Sequence, residues 1–420
     1  DRLKCLDPAC GSGAFPMGML HKLVHVLARL DPDNSQWRAL QRQKAVRETE
    51  EAYMIGDRAE RKARLEDIEE AFTNNTSDYG RKLYLIENCI YGVDIQPIAV
   101  QIAKLRFFIS LVVDQTVDDG RPNRGVRPLP NLETKFVAAN TLIGIARPQQ
   151  LALRDPAIEE KERDLAKVRK RHFAARRQTT KEKYRREDQR LRGELAALLR
   201  QDGWGGDTAG QLAAWNPYDQ NAHADFFDPE WMFGVTEGFD VVIGNPPYVR
   251  QEQIGAFKPI FQQQYACYTG TADLYVYFFE RGLHLLRPDG VLTYISSNKY
   301  FRAGYGAKLR GYLAGQTRIE QLIDFGDAPV FTAIAYPSIL IARRGAPDGQ
   351  QTRALTWPDG EPLAGFTDAF RRRSFLIAQR ELTADGWRLD GGIFRQLLEK
   401  LRSSGVPLRD YVNAPVFRGI

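Results

Sequence analysis

Two stretches of this sequence bring chemically useful groups together at short spacing. One reads Leu6-Asp7-Pro8-Ala9-Cys10-Gly11-Ser12-Gly13-Ala14-Phe15. The other reads Phe239-Asp240-Val241-Val242-Ile243-Gly244-Asn245-Pro246-Pro247-Tyr248. In the first, a glycine-rich turn follows a short apolar run. Gly11 and Gly13 carry no β-carbon, so a ligand can approach the backbone closely there. Asp7 ends the run, at the strand terminus where open α/β sheets bind ligands. In the second, an apolar run delivers an amide, two prolines and an aromatic ring to one spot. The prolines stiffen the loop and remove N–H donors that would compete for an acceptor. Tyr248 offers a flat face for stacking. A simple strand-to-helix turn also accounts for the first pattern, and a proline turn closing a strand for the second. The apolar run before Asn245 puts that second turn at a sheet's carboxyl edge.

Two further apolar runs end in polar residues. In Tyr91-Gly92-Val93-Asp94-Ile95, the carboxylate of Asp94 is placed to accept hydrogen bonds from ribose hydroxyls, as in dinucleotide folds. With Pro97 close behind, a helix N-cap is the other reading. In Ala138-Ala139-Asn140-Thr141-Leu142, Asn140 is either a ligand acceptor or a turn former.

These groups need a scaffold. Helical and strand patterns alternate, which predicts an α/β fold with a parallel sheet covered by helices. Strands are expected at 3–6, 89–93, 135–139, 239–244, 290–296, 319–325 and 336–343, the last a candidate for antiparallel pairing. Helices are expected at 17–30, 97–113, 273–286 and 302–313. A charged helical insertion covers 37–72, and a second runs from about 151 to 200, as a hairpin or as one long helix. Residues 203–210 read as a flexible joint, and 118–130 as a Gly/Pro/Arg-rich loop. Beyond Gly345 the strand–helix rhythm stops. A short helix is expected at 393–401, and 408–420 reads as the first strands of a further region.

Together, in this order, the motifs resemble those of gamma-type N6-adenine DNA methyltransferases, within the class I S-adenosylmethionine-dependent fold. The match runs from Leu6 to about Arg343. The large insertions, and phrases such as Phe15-Pro16-Met17-Gly18-Met19-Leu20, resemble the methylase part of type IIG restriction-modification enzymes and of the phage-defence systems DISARM and BREX. The resemblance implies S-adenosylmethionine as cofactor, held by Asp7, Pro8, Ala9, Cys10, Gly11, Gly13, Phe15, Asp94, Ile95, Asn140 and Thr141. It sets Ile95 on the cofactor adenine and Asn140 at its amino group, where relatives often carry aspartate. It makes Asn245, Pro246, Pro247 and Tyr248 catalytic, with the Asn245 side chain and the Pro246 carbonyl accepting the two N6 hydrogens of the target. Tyr248 and Phe331 would stack on the flipped base, although Phe331 also reads as a core residue. Lys299 and Arg302 are either phosphate contacts or ordinary surface charge.

The resemblance divides the chain into a methyltransferase domain, 1–345, with helical insertions at about 31–78 and 151–205. Residues 346–420 would then be a linker and the beginning of a target-recognition region. Relatives carry a further cofactor-contacting segment before the first strand. This chain opens at Asp1, almost inside a strand, and is expected to be a fragment of a longer protein. The implied partners are double-stranded DNA and other subunits or fused domains of a defence system. The rival functions are methylation of RNA or of protein glutamine, and a non-catalytic DNA-binding subunit.

Composition supports a folded cytoplasmic protein with no membrane partner. The 420 residues, 43% hydrophobic and 11% aromatic, argue against disorder. No apolar run is long enough for a bilayer, and no secretory pattern opens the chain. The four cysteines, Cys5, Cys10, Cys89 and Cys267, form no Cys-x-x-Cys pair. Reduced thiols are expected, without a disulfide framework or a metal site. The net charge of +6 permits nucleic-acid binding. Residues 154–192 alone hold 15 Lys or Arg against 8 Asp or Glu, read either as a solvated helical surface or as a phosphate-facing arm. Glu159-Glu160-Lys161 lies in this charged stretch without a strand and is read as surface rather than as a nuclease motif.

Overall fold

The computed structural model describes residues 3–412, apart from 55, 57, 59–60, 63–64, 66–77, 116, 121, 127–129, 146–154, 176, 333–334, 359–360, 390–396, 398–399, 402 and 407. The chain divides into two compact units, Asp1–Pro247 with Arg281–Leu292, and Tyr248–Glu280 with Thr293–Ile420.

The first unit is built on the strands β1 (Cys5–Asp7), β2 (Ile90–Asp94), β3 (Phe136–Ala138) and β4 (Phe239–Gly244) and on the first part of β5 (Leu286–Ser297), in the order β3-β2-β1-β4-β5. The first four pair in parallel, Leu6 lying opposite both Tyr91 and Val242. Parallel alignment gathers their carboxyl ends, and so Asp7, Asp94, Asn140 and Asn245, along one edge. The helices α1 (Ala14–Leu30), α2 (Ser35–Tyr53), α3 (Asp78–Asn88) and α4 (Pro97–Val112) follow the first two strands. Leu20, Ile86, Val100, Phe107 and Phe136 form their shared core. α4 is apolar on both sides. Val100, Ala103, Phe107 and Leu111 face that core, while Ile98, Ile102, Leu105 and Ile109 are 61%, 43%, 54% and 54% exposed.

The second insertion is a hairpin, not one long helix: α5 (Pro156–Ala174) returns as α6 (Gln178–Gln201). The joint expected at 203–210 is largely helical, because α7 covers Gly206–Ala214. Its glycines obscure an amphipathic pattern in which Ala209 and Leu212 are buried. For the first insertion, the helix is described to Tyr53, and 66–72 lie outside the described residues.

The second unit holds the last residues of β5 and the strand order β5-β7-β6-β8-β9. β6 (Thr317–Asp324) pairs antiparallel with β7 (Pro337–Arg344) and parallel with β8 (Gln351–Thr356), which pairs antiparallel with β9 (Phe375–Ala378). The helix expected at 302–313 starts later, at Ala307, after two short turns. The rise in Gly, Pro and Arg past Gly345 therefore does not end the sheet. Two short strands follow, whose Thr352, Ala354, Leu355 and Ile377 are buried, and Arg371, Arg372 and Arg373 end a helix between them, Phe366–Arg373. Leu408–Val412 is a helical turn rather than a strand, and 413–420 lie outside the described residues, as does most of the helix expected at 393–401. Among the described residues no helix is long and apolar enough to cross a membrane.

Candidate active site

The ladder of β1 stops at Asp7, since Pro8 has no N–H to continue it. Gly11 and Gly13 then take left-handed φ of 51° and 84°, which favours glycine at both. Their surroundings differ. A β-carbon on Gly13 would lie 2.9 Å from Cβ of Ala103, so the missing side chain lets α1 and α4 pack together. A β-carbon on Gly11 would meet nothing within 4 Å, and here the backbone is open to a ligand. Phe15 is half-buried in the first turn of α1, and Ala9 is half-buried in the loop.

The loop is braced against β2. The Cys10 N–H donates to the Val93 carbonyl at 2.8 Å, and the Gly11 N–H to Oδ2 of Asp94 at 2.9 Å. Oδ1 of Asp94 accepts the Gln96 N–H at 2.9 Å, and Gln96, not Asp94, is the N-cap of α4. An ionised carboxylate offers about four acceptor positions. Two are occupied, so turn formation and ribose binding do not exclude each other at Asp94. Ile95 is 46% exposed beside it.

After β3, Thr141 is a strut. Its buried hydroxyl donates to the Pro8 carbonyl at 2.6 Å, joining the loops that follow β1 and β3. Oδ1 of Asn140 accepts the Leu142 N–H at 3.2 Å, which is the turn-forming geometry. Arg281 donates to the carbonyls of Thr141 and Phe227, both at 2.8 Å. Nothing in the local sequence pointed to Arg281, since its partners lie far away in the chain.

β4 buries Phe239 and Val242 and ends in Gly244. A β-carbon at Gly244 would sit 2.7 Å from Oδ1 of Asp7, so glycine allows the loop carrying Asn245 to lie beside the loop carrying Asp7. Two side-chain oxygens at this edge, Oδ2 of Asp7 and Oδ1 of Asn245, are buried with no hydrogen-bond partner among the described residues. Oδ1 of Asp7 accepts the Ala9 N–H at 3.1 Å. Burial pushes the Asp7 carboxyl up to about 8, against the pull of that hydrogen bond and with the Asp94 charge adding to the rise. Cys10 is buried and its thiol is held well above the usual range, chiefly by burial, so it is no nucleophile. Pro246 is buried and Pro247 half-buried. Among the described residues no group of three or more His, Cys, Asp or Glu is arranged to hold a metal ion.

The second unit begins at Tyr248. It is 39% exposed, and burial pushes its hydroxyl up to about 12. Phe331 is half-buried in the loop between β6 and β7, next to Val330, which packs on the cluster around Phe325 and Trp357. Lys299 and Arg302 are exposed just beyond β5. The residues that support Tyr248 carry no local signal; Asp273-Leu274-Tyr275 reads in sequence only as a helix start.

Residues 88–331, more than half of the chain, match the Eco57I restriction-modification methylase family. The chain belongs to this family. Over 242 residues the chain is 31% identical to Type II methyltransferase M.PaeR7I of Pseudomonas aeruginosa, covering 54% of this chain and 40% of that protein. It is 21% identical over 374 residues to the Adenine-specific methyltransferase PglX of Streptomyces coelicolor, covering 87% of this chain and 23% of that one. Among solved structures, the modification subunit of a putative type I restriction enzyme from Vibrio vulnificus aligns with 94% of this chain and 57% of its own, at 12% identity and a TM-score of 0.41. The chain thus spans less than half the length of these curated relatives.

Proposed function

We propose that this methylase transfers a methyl group from S-adenosylmethionine to the exocyclic N6 of a flipped-out adenine in duplex DNA, as the modification component of a restriction-modification or phage-defence system. One observation carries the reading. Oδ1 of Asn245 is a buried acceptor with no partner among the described residues, held on a strand-end loop stiffened by Pro246 and Pro247. Buried acceptors are rarely left unmatched in a native fold, and a catalytic role is one of the reasons that leaves one so.

The N6 lone pair of adenine is delocalised into the ring and is a poor nucleophile. Asn245 Oδ1 and the Pro246 carbonyl accept the two N6 hydrogens and draw the nitrogen toward tetrahedral geometry. Tyr248, three residues on, supplies a face for a base that has left the stack. Bound S-adenosylmethionine would supply an electrophilic methyl group on a sulfonium. The residues present fit such a cofactor: Gly11 leaves its backbone open, the unmatched oxygen of Asp7 suits a cationic group, Asp94 keeps acceptor capacity for ribose, and Ile95 offers exposed apolar surface that would pack on an aromatic face. Positioning the two reactants in line then carries much of the rate. Lys299, Arg302 and the exposed basic residues of α5 and α6 are the candidate phosphate contacts.

The test is methyl transfer by the full-length protein, from labelled S-adenosylmethionine, to duplex DNA, RNA and protein in parallel. Label in N6-methyladenine of DNA is the expected result. Label confined to RNA or to protein glutamine would overturn the reading.

A further inference from the structure

Tyr248 is the proposed stacking face, and the role of its neighbour Tyr275 rests on that reading. A stacking face is useful only when its plane is fixed before the base arrives. Yet Tyr248 is 39% exposed, so the surface around it leaves room to turn. Three features of the second unit supply the missing constraint.

The first is a backbone strap. The Leu274 N–H donates to the Val249 carbonyl at 2.9 Å, and the Gln251 N–H to Oδ1 of Asp273 at 3.1 Å. Lys258 Nζ donates to the Gln251 side chain at 2.6 Å and to the Gly270 carbonyl at 2.8 Å. The residues just after Tyr248 are therefore tied to the start of the helix Tyr275–Leu285.

The second is a wall. The Tyr275 ring lies 6.4 Å from that of Tyr248, tilted by 48°. Tyr275 is 1% exposed and packs on Phe279 and Tyr300, at centroid distances of 6.5 and 6.3 Å. It joins the exposed ring to a buried aromatic array.

The third is a lock on the wall. The hydroxyls of Tyr275 and Tyr305 are 2.9 Å apart. Tyr305 sits in a short turn, Gly304–Gly306. Buried Arg310 braces the start of that turn by donating to the carbonyls of Tyr300 and Ala303, at 2.6 and 2.9 Å. Burial raises both phenols above their usual range, so the bond joins two neutral hydroxyls.

We infer that Tyr275, locked by its hydroxyl bond to Tyr305, is a positioning residue that sets the plane of the Tyr248 ring and hence the tilt at which the target base is held. Tyr275 acts through Tyr248 and does not touch the base. A tyrosine present only to fill the core would need its ring and not its hydroxyl, and its loss would lower stability without altering the order of Tyr248.

The experiment places 3-fluorotyrosine at position 248 of the full-length protein and follows its fluorine resonance. It then measures DNA methylation by the same variants. Tyr275→Phe and Tyr305→Phe should each broaden or shift the resonance. Each should also lower kcat/KM for DNA about fivefold, the scale of one aromatic contact, with S-adenosylmethionine affinity unchanged. The double variant should be no worse than either single one, since both remove the same bond. Tyr275→Leu should have the larger effect; if it fails to fold, the two phenylalanine variants decide alone. A resonance unmoved in both phenylalanine variants, or losses that add in the double variant, overturns the inference. If the wild-type protein methylates no DNA while the resonance still depends on Tyr275 and Tyr305, the functional reading fails and the positioning of Tyr248 stands.

Discussion

Asp7 and Asp188 lie in the same unit with 1% and 0% exposure, one at the end of β1 and the other on α6. Asp188 accepts from Nε of Arg169 at 2.8 Å and from Nε of Arg192 at 2.7 Å. Those arginines pass the network on to the carbonyls of Trp231, Ala213 and Trp215. Burial alone would raise the Asp188 carboxyl, but the two guanidinium charges outweigh it and hold it below the usual range. Asp7 has no such company. It accepts one backbone N–H, and burial carries it up to about 8. A buried carboxylate with a complete set of partners fixes a scaffold. One without them keeps its proton instead, and carboxyls shifted in this way cluster at functional sites.

The largest expected effect tests the unmatched side. Asn245→Ala should cut methyl transfer at least about a hundredfold, the usual scale for deleting one preorganised hydrogen-bonding group, with cofactor affinity nearly unchanged. Near-normal turnover would remove Asn245 from the chemistry. On the matched side, Asp188→Ala leaves two buried arginines without a counter-charge and should destabilise the first unit by about 3–5 kcal/mol, read from urea unfolding. A wild-type midpoint would show that the hairpin network is ornamental.

Asp7→Asn should change pH dependence more than stability. The folded carboxyl titrates above its unfolded value of about 4, so the protonated form favours the fold. Its contribution is full below about pH 4 and is lost as pH rises toward about 8. Without ligand, the variant should therefore gain on wild type as pH increases. A cationic ligand favours the ionised form, so S-adenosylmethionine should release a proton from the wild type below about pH 8 and none at this position in the variant. Calorimetry in buffers of different ionisation enthalpy measures that proton. The smallest effect belongs to the hairpin surface. Replacing exposed Lys170, Arg171, Arg177 and Lys183 by glutamine should lower the log–log salt slope of DNA binding by about 0.9 for each lost phosphate contact. Sequence preference should not change. An unaltered slope would assign the whole hairpin to the scaffold.

The positions of Asp7, Asp94, Asn140 and Asn245 at strand ends were legible because strand and turn signals are local. β4 has the bounds its apolar run suggested. Residues whose role depends on partners distant in the chain carry no such local signal. A charge count gives Arg169 and Arg192 no direction, and both point inward. Within α5 and α6 several other basic residues are paired as well, Lys161 with Glu194 and Arg190 with Glu187, so a basic residue counted there is not by that count free to face a phosphate. Glycines disguised α7, and turn-rich loops disguised β8 and β9, whose apolar positions are too few to form a pattern of their own. Tyr275 and Arg281 gave no local signal, for their roles rest on Tyr305 and on the Thr141 carbonyl.

The two-sided character of α4 has a practical consequence. Its inner residues hold the sheet, while Ile98, Ile102, Leu105 and Ile109 form an exposed oily line along the other side. Exposed apolar patches govern how readily a protein sticks to surfaces and to itself in concentrated solution. Charged replacements at Ile98 and Leu105 should raise the concentration at which the protein stays dispersed, while its resistance to urea moves by no more than about 0.5 kcal/mol. On this expectation, dispersal and fold stability respond to opposite sides of a single helix.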